Sequence, residues 1–228
     1  MEIKEYDLLT DLLESVCIVQ RDGLFITFTH RSFQEYFAAF FVARSPSTSI
    51  ADLLDKLCRR AFNENVIPMA FDMNRALIER EWILLRLNEL SRQIKRARRK
   101  NHLAEMAKSM NLMLLTRMDM TQPLLYVIMN ETFYFCRTLS KLYDDQSLEI
   151  RSALDPVVEV EIYLSHDPRE RELFPEIFRE LRMTDQEWLI QTSVAQSLPK
   201  LWDALLSRAA KVEASVSQQK KLVGVLFE

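Results

Sequence analysis

Gly23 and Gly224 are the only glycines in 228 residues. A chain so poor in glycine has few places for left-handed turns, and it leans toward helices joined by polar connections. Gly23 stands where a turn is needed. Asp22-Gly23 separates the apolar runs Cys17–Gln20 and Leu24–Phe28, which reads as a two-residue hairpin with Asp22 and Gly23 as its central residues. Upstream, Tyr6, Leu9, Leu12 and Leu13 share one helical face. Downstream, Phe33, Tyr36, Phe37, Phe40 and Phe41 repeat at i, i+3, i+4, i+7 and i+8, the period of one buried stripe. Ser32 followed by Glu35 fits a capping box, so that helix is expected to begin at Phe33 with its aromatic stripe in the core.

Helix, hairpin and helix in so short a span read as the end of a winged helix, with the hairpin as the wing. The segment GLFITFTHRSFQEYFAAFFVAR resembles the end of the winged-helix domain of NACHT-type NTPases. These belong to the STAND class, which includes animal NOD-like receptors and bacterial anti-phage proteins. The family's signature is a large hydrophobic residue, a histidine, two variable residues and Phe-Gln-Glu-Phe/Tyr-Phe-Ala-Ala. It maps onto Phe28, His30, Phe33, Gln34, Glu35, Tyr36, Phe37, Ala38 and Ala39. The resemblance covers residues 7–43.

That resemblance implies a switch. In such proteins the histidine reaches the phosphates of ADP held by a neighbouring NTPase domain, and an imidazole N–H is a suitable donor to a phosphate oxygen. For this chain it implies His30 as the phosphate-contacting residue and ADP or ATP with Mg as cofactors of a parent protein. It also implies a cytoplasmic setting, an unknown protein or nucleic-acid trigger, and oligomerisation on activation. Bacterial anti-phage defence is the favoured setting, because a compact domain follows rather than a leucine-rich array. The bland alternative is that His30 caps its helix or packs beside the wing.

With two glycines the chain has no G-x-x-x-x-G-K-[ST] phosphate loop, so no nucleotide-hydrolysing centre of that kind is expected in it. The resemblance then implies a C-terminal piece, not catalytic alone. Its expected division is residues 1–45 as the end of the winged-helix domain and 46–228 as a helical sensor or regulatory domain. A net charge of −3 argues against bulk attraction to nucleic acid or lipid. No run of about 18 apolar residues occurs, so no membrane span is expected. Cys17, Cys58 and Cys136 are odd in number and widely spaced, which reads as reduced, buried cysteines in a cytosol rather than a disulfide framework, without the close pairings of a zinc site.

The fold class expected is mainly α: the end of a winged helix with one β-hairpin, then a multi-helix bundle. Ser45-Pro46-Ser47-Thr48-Ser49 reads as the linker. Residues 50–62 read as a helix with Ile50, Leu53, Leu54, Leu57 and Cys58 inward. Asp72–Lys100 reads as one long helix of about 40 Å, with Ile83, Leu87, Leu90 and Ile94 as its packing seam. A further helix is expected from Pro123, with Leu125, Ile128, Met129, Phe133, Cys136, Leu139 and Tyr143 on one stripe. Val158–Leu164 alternates like a strand between flanks that read as helical. Asp167-Pro168 and Thr184 with Glu187 mark further helix starts, and Pro199 opens a last helix carrying Leu201, Trp202, Leu205 and Leu206.

One cluster has binding chemistry of its own. Arg92, Lys95, Arg96, Arg98, Arg99 and Lys100 form a basic run that suits the negative end of a helix dipole. It could face the acidic segment 144–180, or it could grip phosphates or another acidic ligand. Arg96 and His102 also have the Arg-x5-His spacing that resembles HEPN ribonucleases, which makes an acid–base RNA-cleaving helical domain one alternative function. A stand-alone winged-helix DNA-binding protein is the other, although the helix after the hairpin carries few of the basic side chains a groove reader needs.

Overall fold

The computed structural model describes residues 9–59, 65–100, 104, 107–108, 112–115, 124–127, 131–148, 150, 178–180 and 194–226. Strands β1 (Val19–Asp22) and β2 (Phe25–Phe28) pair antiparallel, with Asp22 opposite Phe25 and Val19 opposite Phe28. That register makes Gly23 and Leu24, not Asp22 and Gly23, the central residues of the turn. Gly23 has φ +62° and Leu24 has no positive φ, the pattern of a II′ turn, which needs glycine at its first central position. The turn therefore sits one residue later than expected. A left-handed residue at Cys17 (φ 54°) redirects the chain into β1. The Thr29 hydroxyl closes the hairpin's base, 2.9 and 3.0 Å from the Cys17 and Ile18 carbonyl oxygens.

Helix α1 (Arg31–Arg44) follows the hairpin and begins two residues before the expected Phe33. Its buried residues are Glu35, Ala39, Val42 and Ala43, spaced i, i+4, i+7, i+8. The small side chains among them let α1 lie close against α3 (Val66–Met73), its principal packing partner. The aromatic stripe expected in the core is on the opposite face, where Phe33, Tyr36, Phe37, Phe40 and Phe41 are 36–66% exposed. Periodicity alone cannot separate the two, because both faces of α1 are apolar. Among the described residues, the helix packed against α1 lies on the small-residue side, while the aromatic side meets only β2 through the Phe28–Phe37 stack.

The chain turns at Ser45-Pro46 into α2 (Ser47–Cys58), where Ile50 and Leu54 are fully buried while Leu53, Leu57 and Cys58 pack against the same core. The expected linker is thus two residues, and Ser47 to Ser49 already belong to the helix. The long helix is interrupted at Asn74 (φ −149°, ψ 65°), whose Oδ1 accepts from the Leu77 N–H. Its Nδ2 donates to the Ala43 carbonyl, 2.8 Å away. Asparagine favours this capping geometry, so Asn74 ends α3 and starts a new rod. The rod comprises α4 (Arg75–Ile78), a π-helical stretch at Glu79–Ile83 and α5 (Leu84–Lys100). Ile83, Leu87, Leu90 and Ile94 are buried along it, as the spacing predicts.

Strands β3 (Leu112–Leu115) and β4 (Leu124–Val127) pair antiparallel, and β5 (Phe178–Glu180) joins the other edge of β3, giving the order β4-β3-β5. This second sheet departs from the single hairpin expected. Leu125 lies in β4 rather than in the helix read from Pro123. Four-residue apolar runs such as Leu112–Leu115 fit a strand or a buried helix equally well, and only pairing with a distant segment decides.

Helix α6 (Glu131–Tyr143) buries Phe133, Cys136 and Leu139 as expected. Helix α7 (Val194–Leu226) runs straight through Pro199, which was expected to open it. Leu198, Leu201, Trp202, Leu205, Ala209, Val212 and Val216 are its buried residues. They follow a 3–4 spacing that matches the seam of α5, and α7 packs antiparallel to the rod: Arg98 meets Asp203 at one end, and Glu79 of the π-helical stretch meets Ser215 at the other. One buried cluster extends from Ala39 to Val216 across the Ser45-Pro46 turn. The molecule is mainly helical. The segments at Val158–Leu164, Asp167-Pro168, Thr184–Glu187 and Ile128-Met129 lie outside the described residues.

Candidate functional site

His30 sits at the join of β2 and α1 and is exposed. Its backbone is extended (φ −140°, ψ 140°), and its Nδ1 accepts from the Ser32 N–H at 3.1 Å, so His30 is itself the N-cap. The capping box read from Ser32 and Glu35 does not form. Glu35 instead turns inward, where Oε1 accepts from Arg31 Nε at 2.8 Å and Oε2 from Asn65 Nδ2 at 2.9 Å. A carboxylate on the buried face of α1 is held there by those two donors, as burial of an ionised group requires.

The cap fixes the chemistry of the other ring nitrogen. When Nδ1 of a neutral imidazole accepts, the proton resides on Nε2. In that tautomer the exposed His30 keeps an N–H donor at Nε2 that the cap does not use. The helix-capping alternative and the donor role are not rivals, since they use different nitrogens.

Around His30 the hairpin and α1 form one aromatic surface. Phe28 stacks on Phe37 with centroids 5.9 Å apart, Tyr36 meets Phe37 edge-on at 5.6 Å, and Tyr36 lies 6.4 Å from Phe40. The Arg44 guanidinium covers the Phe40 ring at 4.0 Å. Among the described residues, every exposed large apolar side chain except Met73 and Leu85 belongs to residues 16–41. An exposed apolar surface of this kind is a candidate interaction site.

The basic run divides in the structure. Arg98 turns toward α7, donating to Asp203 Oδ1 at 2.6 Å and to the Pro199 carbonyl at 3.3 Å, with its guanidinium 5.6 Å from the Trp202 ring centroid. Arg92, Lys95, Arg96 and Arg99 are exposed. Lys100 ends α5. His102 lies outside the described residues, so its placement relative to Arg96 is not part of the geometry.

A second polar centre escaped the sequence reading. Glu79, in the π-helical stretch, is fully buried. It accepts from Arg75 Nε at 2.8 Å, from the Tyr143 hydroxyl at 2.9 Å and from the Ser215 hydroxyl at 3.0 Å. Burial, then the Glu79 charge, holds the Tyr143 phenol above its ordinary range. The Arg208 guanidinium lies 4.2 Å from the Tyr143 ring centroid and pairs with Asp145 at 2.9 Å. Arg75 and Glu79 have an ordinary i,i+4 spacing, but no local spacing announces the rest of the centre, because Tyr143 and Ser215 come from α6 and α7. Burial raises the thiols of Cys58 to about 11 and Cys136 to about 12, which removes both as nucleophiles near neutral pH; Cys17, expected to be buried, is exposed instead, because it lies at the turn into the hairpin.

Among the described residues, no group of three or more His, Cys, Asp or Glu side chains could hold a metal ion, and no helix is long and apolar enough to cross a membrane. No protein-family model, curated protein or solved structure matches the chain.

Proposed function

We propose that this chain is the regulatory and sensing portion of a NACHT-type signal-transducing NTPase acting in the cytoplasm, with anti-phage or comparable innate defence as its setting. The observation that carries the reading is the His30 ring. Its Nδ1 is committed to the α1 cap, so the Nε2–H of this exposed residue stays available, in a segment whose aromatic side chains are exposed as well. A donor so placed suits a nucleotide phosphate presented by an adjoining domain. The chain has no phosphate loop of its own, so the nucleotide, with its Mg, belongs to that NTPase domain. The aromatic surface is where such a domain would rest.

In this reading His30 favours the closed, ADP-bound arrangement, and a trigger opens it only through unequal affinity for the two states. Activation then proceeds to oligomerisation of the parent protein. The DNA-binding alternative is weakened by α1 itself: its basic residues Arg31 and Arg44 are engaged by Glu35 and by the Phe40 ring. The test is nucleotide retention by the intact NTPase carrying His30→Asn. Asparagine keeps an acceptor for the Ser32 N–H but cannot reach as far as Nε2. Faster ADP release with an unchanged melting temperature is expected. Unchanged release would remove His30 from the switch.

A further inference from the structure

Independently of the switch, we infer that the outer face of α5 binds the phosphate backbone of a nucleic-acid duplex. Arg92, Lys95, Arg96 and Arg99 stand at i, i+3, i+4 and i+7, so they share one face of the helix. All four are exposed. The face lies opposite the buried seam of Leu87, Leu90, Ile94 and Ala97. Among the described residues none of the four forms an ion pair, and their one hydrogen bond runs from Arg92 Nε to the Asn88 carbonyl of its own helix, at 3.4 Å. The nearest carboxylate upstream on α5, Glu89, is paired with Arg86, and none occurs between Arg92 and Lys100.

The separation of Arg98 from this set gives the face its character. Six cations in sequence could have been one solvated cluster. The fold instead spends Arg98 on Asp203 and Trp202 of α7, and leaves the other four aimed together into solvent. From Arg92 to Arg99 the rise is about 10 Å. A duplex carries one charge per ~1.7 Å of axis, so that length presents about six phosphate charges to the four cations.

A nucleic acid suits the face better than an acidic protein does. Protein interfaces are anchored by apolar or aromatic side chains at their centre, and nothing of that kind lies between Arg92 and Arg99 on this side. Phosphate contacts need only charge and donors, and they carry no sequence preference. The overall charge of −3 makes this a local attraction, effective within a Debye length of about 8–10 Å.

The experiment is fluorescence anisotropy of the full chain with labelled 20-base-pair DNA and RNA duplexes of arbitrary sequence, and with a labelled 20-residue polyglutamate. Four phosphate contacts give a slope of log K against log salt near −3.6 on DNA, about a 150-fold loss between 50 and 200 mM salt. Each single Gln substitution at Arg92, Lys95, Arg96 or Arg99 reduces that slope by about 0.9, and R92Q/K95Q/R96Q/R99Q abolishes it with an unchanged circular dichroism spectrum. R98Q lowers the melting temperature and leaves the slope alone. The wild-type slope needs no variant, so poor folding of the quadruple substitution does not spare the inference. It is overturned if neither duplex binds, if the slope is near zero, if the quadruple variant binds as the wild type does, or if polyglutamate binds as tightly as the duplexes.

Discussion

Tyr143 on α6 donates its phenolic proton to Glu79, 2.9 Å away in the π-helical stretch of the central rod, and Ser215 on α7 donates to the other oxygen of the same carboxylate. One buried charge thereby ties three helices in a single register. A hydrogen bond to a charged group contributes about 1.5–3 kcal/mol. Tyr143→Phe and Ser215→Ala should each lower stability by about that amount in urea titrations. Because they share one acceptor, the double variant should depart from additivity.

The same centre sets an alkaline limit. The Tyr143 phenol is raised in the folded state, chiefly by burial and then by Glu79, so it stays protonated where an unfolded tyrosine ionises near 10. Its contribution is fully present below that unfolded value and is lost as pH rises through the higher folded one. Stability should therefore fall steeply above about pH 10, and Tyr143→Phe should flatten that limb of the curve. An identical alkaline limb in the variant would exclude Tyr143 as its source.

At the acid end the relevant group is Asp145. Its carboxyl lies below the ordinary range, first because the Ser147 hydroxyl donates to it and further because Arg208 pairs with it. A lowered carboxylate stabilises the fold above its unfolded pKa, near 4, and the contribution disappears as pH falls through the folded value. Asp145→Asn should leave neutral stability reduced and the acid transition less steep, read by thermal melts across pH 2–7.

Two buried tryptophans should respond to different extents. Trp82 Nε1 donates to Asp55 at 2.9 Å, whereas Trp202 Nε1 is buried and, among the described residues, has no hydrogen-bond partner. Trp82→Phe loses packing together with a charge-assisted bond, and leaves Asp55 with Arg86. Trp202→Phe loses packing but removes an unsatisfied donor, which itself costs about 1–3 kcal/mol. Chemical denaturation should show Trp82→Phe as the more damaging change by roughly 1.5–3 kcal/mol.

The aromatic surface allows a further measurement. Phe41 is 66% exposed and Phe37 is 42% exposed, so neither should cost the ~3–5 kcal/mol of a core phenylalanine. Phe41→Ser should change stability by about 0.5 kcal/mol or less, and should reduce binding of a hydrophobic dye. A large destabilisation would place Phe41 in a packed interior.

Much of this molecule is legible one segment at a time. Gly23 marks the hairpin because a positive φ is a property of a single residue's sterics. The spacing of Ile83, Leu87, Leu90 and Ile94 marks the rod's buried seam, because helical period acts over a few turns. The place of His30 between strand and helix follows from the same local signals. The tertiary structure decided what depends on a distant partner. α1 has two apolar faces, and contact with α3 selected the small residues over the aromatics. β3 became a strand because β4 and β5 supply its hydrogen bonds. Glu79 is a tolerable buried charge only because donors arrive from residues 143 and 215, and Arg98 left the basic run only because α7 placed Asp203 beside it. Torsion and periodicity are encoded in neighbouring residues, whereas desolvation and charge pairing depend on which segments the fold brings together.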